Sequence, residues 1–210
     1  MTVAPDPQVR ERVEERLRAY LLSGELLPGA SVPIASLARR WATSETPIRE
    51  VGWRAVGEGW LTPEPRGGFR VWEPSVDELR DLYQALEMLL VSAIGLFPGE
   101  ARLDGDTSSE PSLSSDAISS LLAVGVGCRN GALLEMLVRT LDRLAPFRRA
   151  EARLVENCAE EDRRLSIALA SGSRSDMRDA VRRYCSRRRS LAPAILGLIA
   201  EWVRMADRKA

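Results

Sequence analysis

Along the first third of the chain, apolar residues recur at helical spacing. Val9, Val13, Leu17, Tyr20 and Leu21 fall on one face with Arg and Glu between them, which predicts an amphipathic helix over residues 9–22, ended by Ser23-Gly24. Leu27-Pro28-Gly29-Ala30 reads as a tight turn, because Pro28 fixes φ at the second position and Gly29 accepts a positive φ at the third. Ile34, Leu37, Ala38 and Trp41 mark a short second helix over 33–41, followed by an Ala42-Thr43 connector. A third helix starts at Ser44, whose hydroxyl suits an N-cap, and runs through Ile48, Val51, Ala55 and Val56 to Gly57-Glu58-Gly59. Pro47 is tolerated in its first turn, where amides have no intrahelical partner. Gly52, in its interior, is expected to cost about 1 kcal/mol relative to Ala. Trp60-Leu61-Thr62 and Phe69-Arg70-Val71-Trp72 read as short strands flanking a Gly-rich hairpin tip. Three helices and a hairpin make a winged helix-turn-helix, an architecture that lays its third helix in the DNA major groove.

Beyond residue 76 the strand signal stops. Leu79, Leu82, Tyr83, Leu86, Leu89, Leu90 and Ala93 mark a strongly apolar helix, and residues 98–115 form a polar stretch rich in Gly, Pro and Ser. Helical patterns resume at about 116–126, 131–149, 151–171, 175–190 and 191–206. Helices of this number need one another's apolar faces. The predicted fold class is therefore mainly α: a winged helix-turn-helix over residues 1–74 followed by an all-α bundle over 77–210, with no internal repeat.

Composition narrows the chemistry. The 210 residues are 45% hydrophobic and carry a formal net charge of zero, so no global basic field advertises a nucleic-acid or membrane partner, and any such contact must be local. Residues 1–76 hold ten Arg (10, 12, 16, 18, 39, 40, 49, 54, 66, 70) against ten Asp or Glu (6, 11, 14, 15, 25, 45, 50, 58, 64, 73). The chain has no histidine, which removes Ser-His-Asp and Cys-His nucleophiles and any imidazole metal site. Cys128, Cys158 and Cys185 are odd in number and form no CxxC pair, as expected of reduced thiols in a cytoplasm. The N-terminus has no apolar secretory region, and the longest apolar run, residues 86–97, is too short to span a bilayer.

The stretch LLPGASVPIASLARRWATSETPIREVGWRAVGEGWLTPEPRGGFRV resembles the DNA-binding domain of GntR-family bacterial transcription regulators. The resemblance lies in the Pro-Gly turn, the Leu-Ala second helix, the Ser-x-Thr-Pro-x-Arg-Glu recognition helix, the Glu-Gly turn and the Gly-bearing wing, over roughly residues 9–73. It implies that Ser44, Thr46 and Arg49 contact operator DNA, with Arg66, Gly67 and Gly68 at the wing. Hydroxyls at a helix N-terminus can bind phosphate, Arg can read guanine bidentately, and Gly admits a close backbone approach. The plainer alternatives are that Ser44 only caps the helix and that Arg49 is only a solvated charge. Glu45 departs from the family, which usually places a basic residue there. A carboxylate repels phosphate, yet it can accept from a cytosine amino group.

The later segments DELRDLYQALEMLL, GCRNGALLEML and EDRRLSIALASGSRSDMRDAVRRYCSRR look like the helical, FCD-like effector domain of the FadR-type branch. That branch often holds a metal through an Asp and three His, with an Arg that meets a carboxylate ligand. Carried over by position, the Arg corresponds to Leu86, the Asp and first His to about Ala117 and Leu121, and the second and third His to Asp162 and Cys185. Two ligands do not close a site, so no metal or other cofactor is expected. Three readings stay open. Asp162 and Cys185 are a surface charge and a buried small residue; or an apolar pocket lined by Leu86, Leu90, Leu121 and Val124 takes a hydrophobic effector; or the cavity has filled and the domain only dimerises. Arg182, Arg183, Arg187, Arg188 and Arg189 read as a solvated basic face paired with Glu160, Glu161 and Asp162.

The resulting expectation is a cytoplasmic, non-enzymatic transcription regulator. It would act as a homodimer on a pseudo-palindromic double-stranded operator, modulated by a small effector and without a membrane partner. The alternatives are an interaction or dimerisation module with weak or no DNA binding, and an enzyme built on Asp162 and Cys185.

Overall fold

The computed structural model describes residues 7–97 and 115–208, so the polar stretch 98–115, except for Ser115, lies outside the described residues. Two compact units form: unit 1 holds 7–74, 145–149 and 197–208, and unit 2 holds 75–97, 115–144 and 150–196.

Unit 1 contains α1 (Pro7–Leu22), α2 (Ile34–Arg40), α3 (Glu45–Gly57), β1 (Leu61–Pro63) and β2 (Phe69–Val71), in the order of a winged helix-turn-helix. The strands pair antiparallel, Leu61 opposite Val71 and Pro63 opposite Phe69. Period-two alternation turns Leu61, Phe69 and Val71 inward. There they join Val13, Leu17 and Leu21 of α1, Ile34 and Leu37 of α2, and Ile48, Val51 and Ala55 of α3 in one core. The turn after α1 forms as the sequence predicts, with Gly29 at φ 83° and Ala30 N–H donating to the Leu27 carbonyl at 3.0 Å. Residues 29–32 then run along the free edge of β2, a pairing that periodicity does not signal. Gly29 N–H donates to the Val71 carbonyl (3.1 Å), Val71 N–H to that of Ala30 (2.9 Å) and Val32 N–H to that of Phe69 (2.7 Å). The outer edge of β2 is thereby satisfied.

The predicted connector between α2 and α3 is a helix-ending hydrogen-bond pair. Thr43 N–H reaches back to the Ala38 carbonyl (3.0 Å) and Ala42 N–H to that of Arg39 (3.3 Å), with Ala42 left-handed at φ 51°. Glycine normally takes this position, and alanine there stores roughly 1–2 kcal/mol of backbone strain.

In unit 2, α4 (Val76–Leu96) opens with a reciprocal cap. Glu78 N–H donates to Ser75 Oγ and Ser75 N–H to the Glu78 carboxylate, bonds that hold that carboxyl below its ordinary range. α5 (Ser115–Gly127) packs on α4, on α6 (Gly131–Leu144) and on α8 (Cys158–Ala170). Three helix bounds differ from the periodicity. The predicted 131–149 helix stops at Leu144 and gives way to a 3-10 turn, Ala145–Phe147, because Pro146 has no N–H to continue the ladder. The predicted 151–171 helix is two: α7 (Arg148–Leu154) and α8 are separated by Asn157, which is left-handed at φ 55°. Conversely, the predicted 175–190 and 191–206 helices are one, α9 (Arg174–Asp207), which continues through Pro193. Val181, Cys185, Arg188, Ala192 and Ile195 keep an unbroken buried stripe across the proline. Packing of that stripe outweighs the one missing hydrogen bond.

Candidate nucleic-acid interface

α3 has two faces set by its 3.6-residue period. Pro47, Ile48, Val51, Gly52 and Ala55 are buried, whereas Thr46, Arg49, Glu50 and Trp53 are exposed along one outward stripe. Ser44 occupies the N-cap with extended backbone, φ −81° and ψ 168°, but its hydroxyl makes no capping bond. The capping role that the sequence suggests for Ser44 is therefore not the one it plays. Instead Glu45 supplies negative charge in the first turn, where the helix dipole favours it. The hydroxyls of Ser44 and Thr46 remain exposed at the helix start.

Arg49, Arg54 and Arg70 of this surface are already engaged. Glu45 accepts from Arg49 at 2.9 Å, an i,i+4 pair with both side chains about half exposed. Arg54 donates to Glu14 of α1 at 2.6 Å, a contact that raises the Arg54 pKa further. On the wing, Arg70 pairs with Glu64 at 2.8 Å and also donates to the Gly29 carbonyl, and Ser31 donates to the same Glu64. Arg66, Gly67 and Gly68 sit in the turn between β1 and β2. Gly67 N–H donates to the Glu64 carbonyl and Glu64 N–H to that of Gly68, with φ of 84° and 98° at the two glycines, a conformation that excludes most side chains. Arg66 is exposed at that tip and forms no ion pair among the described residues. The i,i+4 spacing of Glu45 and Arg49 is a sequence signal for their pairing, one that assigning both residues to DNA conceals.

Gly52 has a reason that propensity hides. A Cβ built there would lie 2.3 Å from Phe69 Cε2, so the missing side chain is what lets the β2 phenyl ring lie against α3. Phe69 in turn makes a T-shaped contact with Trp53, with centroids 5.3 Å apart and planes at 85°.

The residues proposed for an effector pocket all lie in unit 2. Leu86 and Leu90 on α4, Leu121 and Val124 on α5, and Cys185 on α9 are fully buried among core side chains. Asp162, on α8, is not a plain surface charge: Arg188 approaches it at 3.8 Å. Arg188 itself is only 1% exposed and corrects the picture of a wholly solvated basic face. It donates to Glu151 at 2.7 Å and Glu161 at 3.0 Å, and it lies over the Tyr184 ring, 3.3 Å from the centroid. Tyr83 donates to the other Glu151 oxygen. Burial opposes charge on Arg188, but Tyr184, Glu151 and Glu161 outweigh it and hold the guanidinium protonated. The same burial, with Glu151 beside it, pushes the Tyr83 hydroxyl well above its usual range. Arg187 and Arg189 take Glu161 and Glu87 from the exposed side.

Asp162 faces a guanidinium, and burial pushes the Cys185 thiol up to about 12 and that of Cys158 up to about 11. No group of three or more potential metal-ligating side chains occurs among the described residues. Nor is any described helix long and apolar enough to cross a membrane.

No curated protein matches the chain. Among solved structures it is similar to one described as a GntR transcriptional regulator from Rhodococcus sp. RHA1. The two share 15% identity and a TM-score of 0.69, covering 89% of this chain and 98% of that one. It is also similar to McbR/YncC of E. coli, with 22% identity and a TM-score of 0.61, covering 90% of this chain and 97% of that one. At such identities the likeness is one of fold. The family model described as bacterial regulatory proteins, gntR family, matches residues 9–71, the span of α1 to β2. Residues 9–71 are thus similar to that family's DNA-binding domain, in agreement with the winged helix-turn-helix fold of this part of the chain.

Proposed function

We propose that the chain is a sequence-specific, DNA-binding transcription regulator of the bacterial cytoplasm. In this reading α3 enters the major groove of a pseudo-palindromic operator, and residues 77–210 supply homodimerisation and effector response in the manner of the FadR-type, FCD-like branch. The observation that carries the proposal is the outward stripe of α3, with Ser44, Thr46 and Arg49 exposed at its start and the Arg66-Gly67-Gly68 turn in the same gntR-type domain. Ser44 and Thr46 would take phosphate, Arg49 a guanine edge, and the wing glycines the backbone.

Arg49 must first leave Glu45. An exposed i,i+4 pair contributes only about 0.3–0.5 kcal/mol, so the exchange costs little, but it limits how strongly binding depends on salt. The test is selection of genomic fragments by the purified protein at near-physiological salt, with Arg49→Ala and Glu45→Gln alongside. Arg49→Ala is expected to weaken the selected duplex by about 10–100-fold. Glu45→Gln is expected to tighten binding to all duplexes several-fold and to steepen the slope against salt by about one. Selective loss of the operator in Glu45→Gln would instead assign Glu45 to a cytosine. No enriched motif from the native protein would favour an interaction module over a DNA reader.

For the helical unit, a small apolar effector would bind between Leu86, Leu90, Leu121 and Val124 and shift the spacing of the two recognition helices. The complete burial of all four favours a second reading, in which the interior is filled and the unit only dimerises. A panel of apolar and carboxylate metabolites, read as thermal shift, separates them. Apolar ligands alone should raise Tm if the pocket opens. Shifts confined to carboxylates would sink the apolar assignment, and no shift at all supports the filled core.

A further inference from the structure

We infer that Trp53 is a sequence-reading residue of α3, its indole meeting the C5-methyl group of a thymine in the major groove. The inference rests on the DNA-binding reading above and adds a residue that the motif does not contain.

Thr46, Arg49, Glu50 and Trp53 stand at i, i+3, i+4 and i+7, and all are exposed, so the indole continues the stripe that begins at the helix N-terminus. Trp53 is 59% exposed, a large apolar surface left in water in the middle of the face that would enter the groove. Its ring does not hang free. Phe69, itself 2% exposed, packs against it in a T-shaped contact with centroids 5.3 Å apart, and Phe69 is seated by the absent side chain of Gly52. A braced indole loses little rotamer freedom on binding, which favours a specific contact over a loose one. Glu45 neutralises Arg49 and Glu50 adds a negative charge next along the stripe, so apolar contact is what this part of the helix can add to recognition. Thymine carries the one methyl group on the major-groove edges, and that methyl is the chemical mark an indole face would recognise.

The test uses the full-length protein and the duplex it selects from a random library. Each thymine is replaced in turn by deoxyuridine, which removes only the methyl. Native protein should lose about fivefold in affinity at one thymine of each half-site, the scale of one buried methyl group. Trp53→Ala and Trp53→Gln should bind thymine and deoxyuridine duplexes alike, and their own selected motifs should relax at that position. A native protein indifferent to every deoxyuridine would overturn the thymine contact whether or not the variants fold. Folded Trp53 variants that keep the native motif and affinity would overturn the role of the indole while leaving the DNA-binding reading standing. If the native protein selects no sequence, both fall together.

Discussion

Arg188→Ala should cost unit 2 about 3–5 kcal/mol, the usual penalty when one partner of a buried ion pair is removed. The magnitude reflects the groups left behind. Glu151 is 4% exposed and would be left buried with the Tyr83 hydroxyl but without its guanidinium, while Glu161 and Asp162 would face a cavity where the guanidinium stood. Unfolding in denaturant measures this directly, and a loss below about 1 kcal/mol would show that the network does not organise the helices around it. The loss belongs to the broken pair and not to a net gain from charge. The triple change Arg188→Met, Glu151→Leu, Tyr83→Phe removes all three polar groups together and should recover most of the stability. If the triple variant is as unstable as Arg188→Ala, shape and not charge is what Arg188 supplies.

Gly52→Ala should lower the stability of unit 1 by about 1–3 kcal/mol, the range for overfilling a packed core. Helix propensity alone predicts the opposite sign, a gain of about 1 kcal/mol. The contact decides between them: a methyl carbon cannot lie 2.3 Å from Phe69 Cε2, with Cδ2 and Cζ each at 2.7 Å, and the ring belongs to the buried core of the unit. Phe69 must therefore move, and Trp53 loses its brace. Operator affinity should fall together with stability. Phe69→Leu makes room for the new methyl, so the double variant should be less impaired than the sum of the single changes. Strict additivity in that cycle, or a Gly52→Ala protein more stable than native, would refute the account.

How far local pattern reaches explains which features are legible in the sequence. The winged helix-turn-helix can be read because each of its parts is specified within a turn or two of chain. The apolar stripe of α1, the Pro28-Gly29 turn with its positive φ, the alternation Phe69-Arg70-Val71 and the glycines at the wing tip are all of this kind. The absence of histidine likewise removes imidazole chemistry with no need of a fold. The Glu45–Arg49 pair is equally local, and its spacing alone suffices to reveal it. The remaining features belong to tertiary structure. Arg188 looks like one of five arginines on a solvated face until α9 is seen to turn it inward, where its partner lies 37 residues away and Tyr83 reaches that same carboxylate across 68. Residues 175–206 read as two helices, and Gly52 as a flaw, because local pattern weighs each residue against its own helix. In the folded chain a buried stripe carries α9 through Pro193, and a phenyl ring from the wing fills the space over the glycine. Sequence determined which elements form and which chemistry is absent. Only packing between distant segments decided which charges are buried, which helix continues, and which aromatic ring is left facing outward on α3.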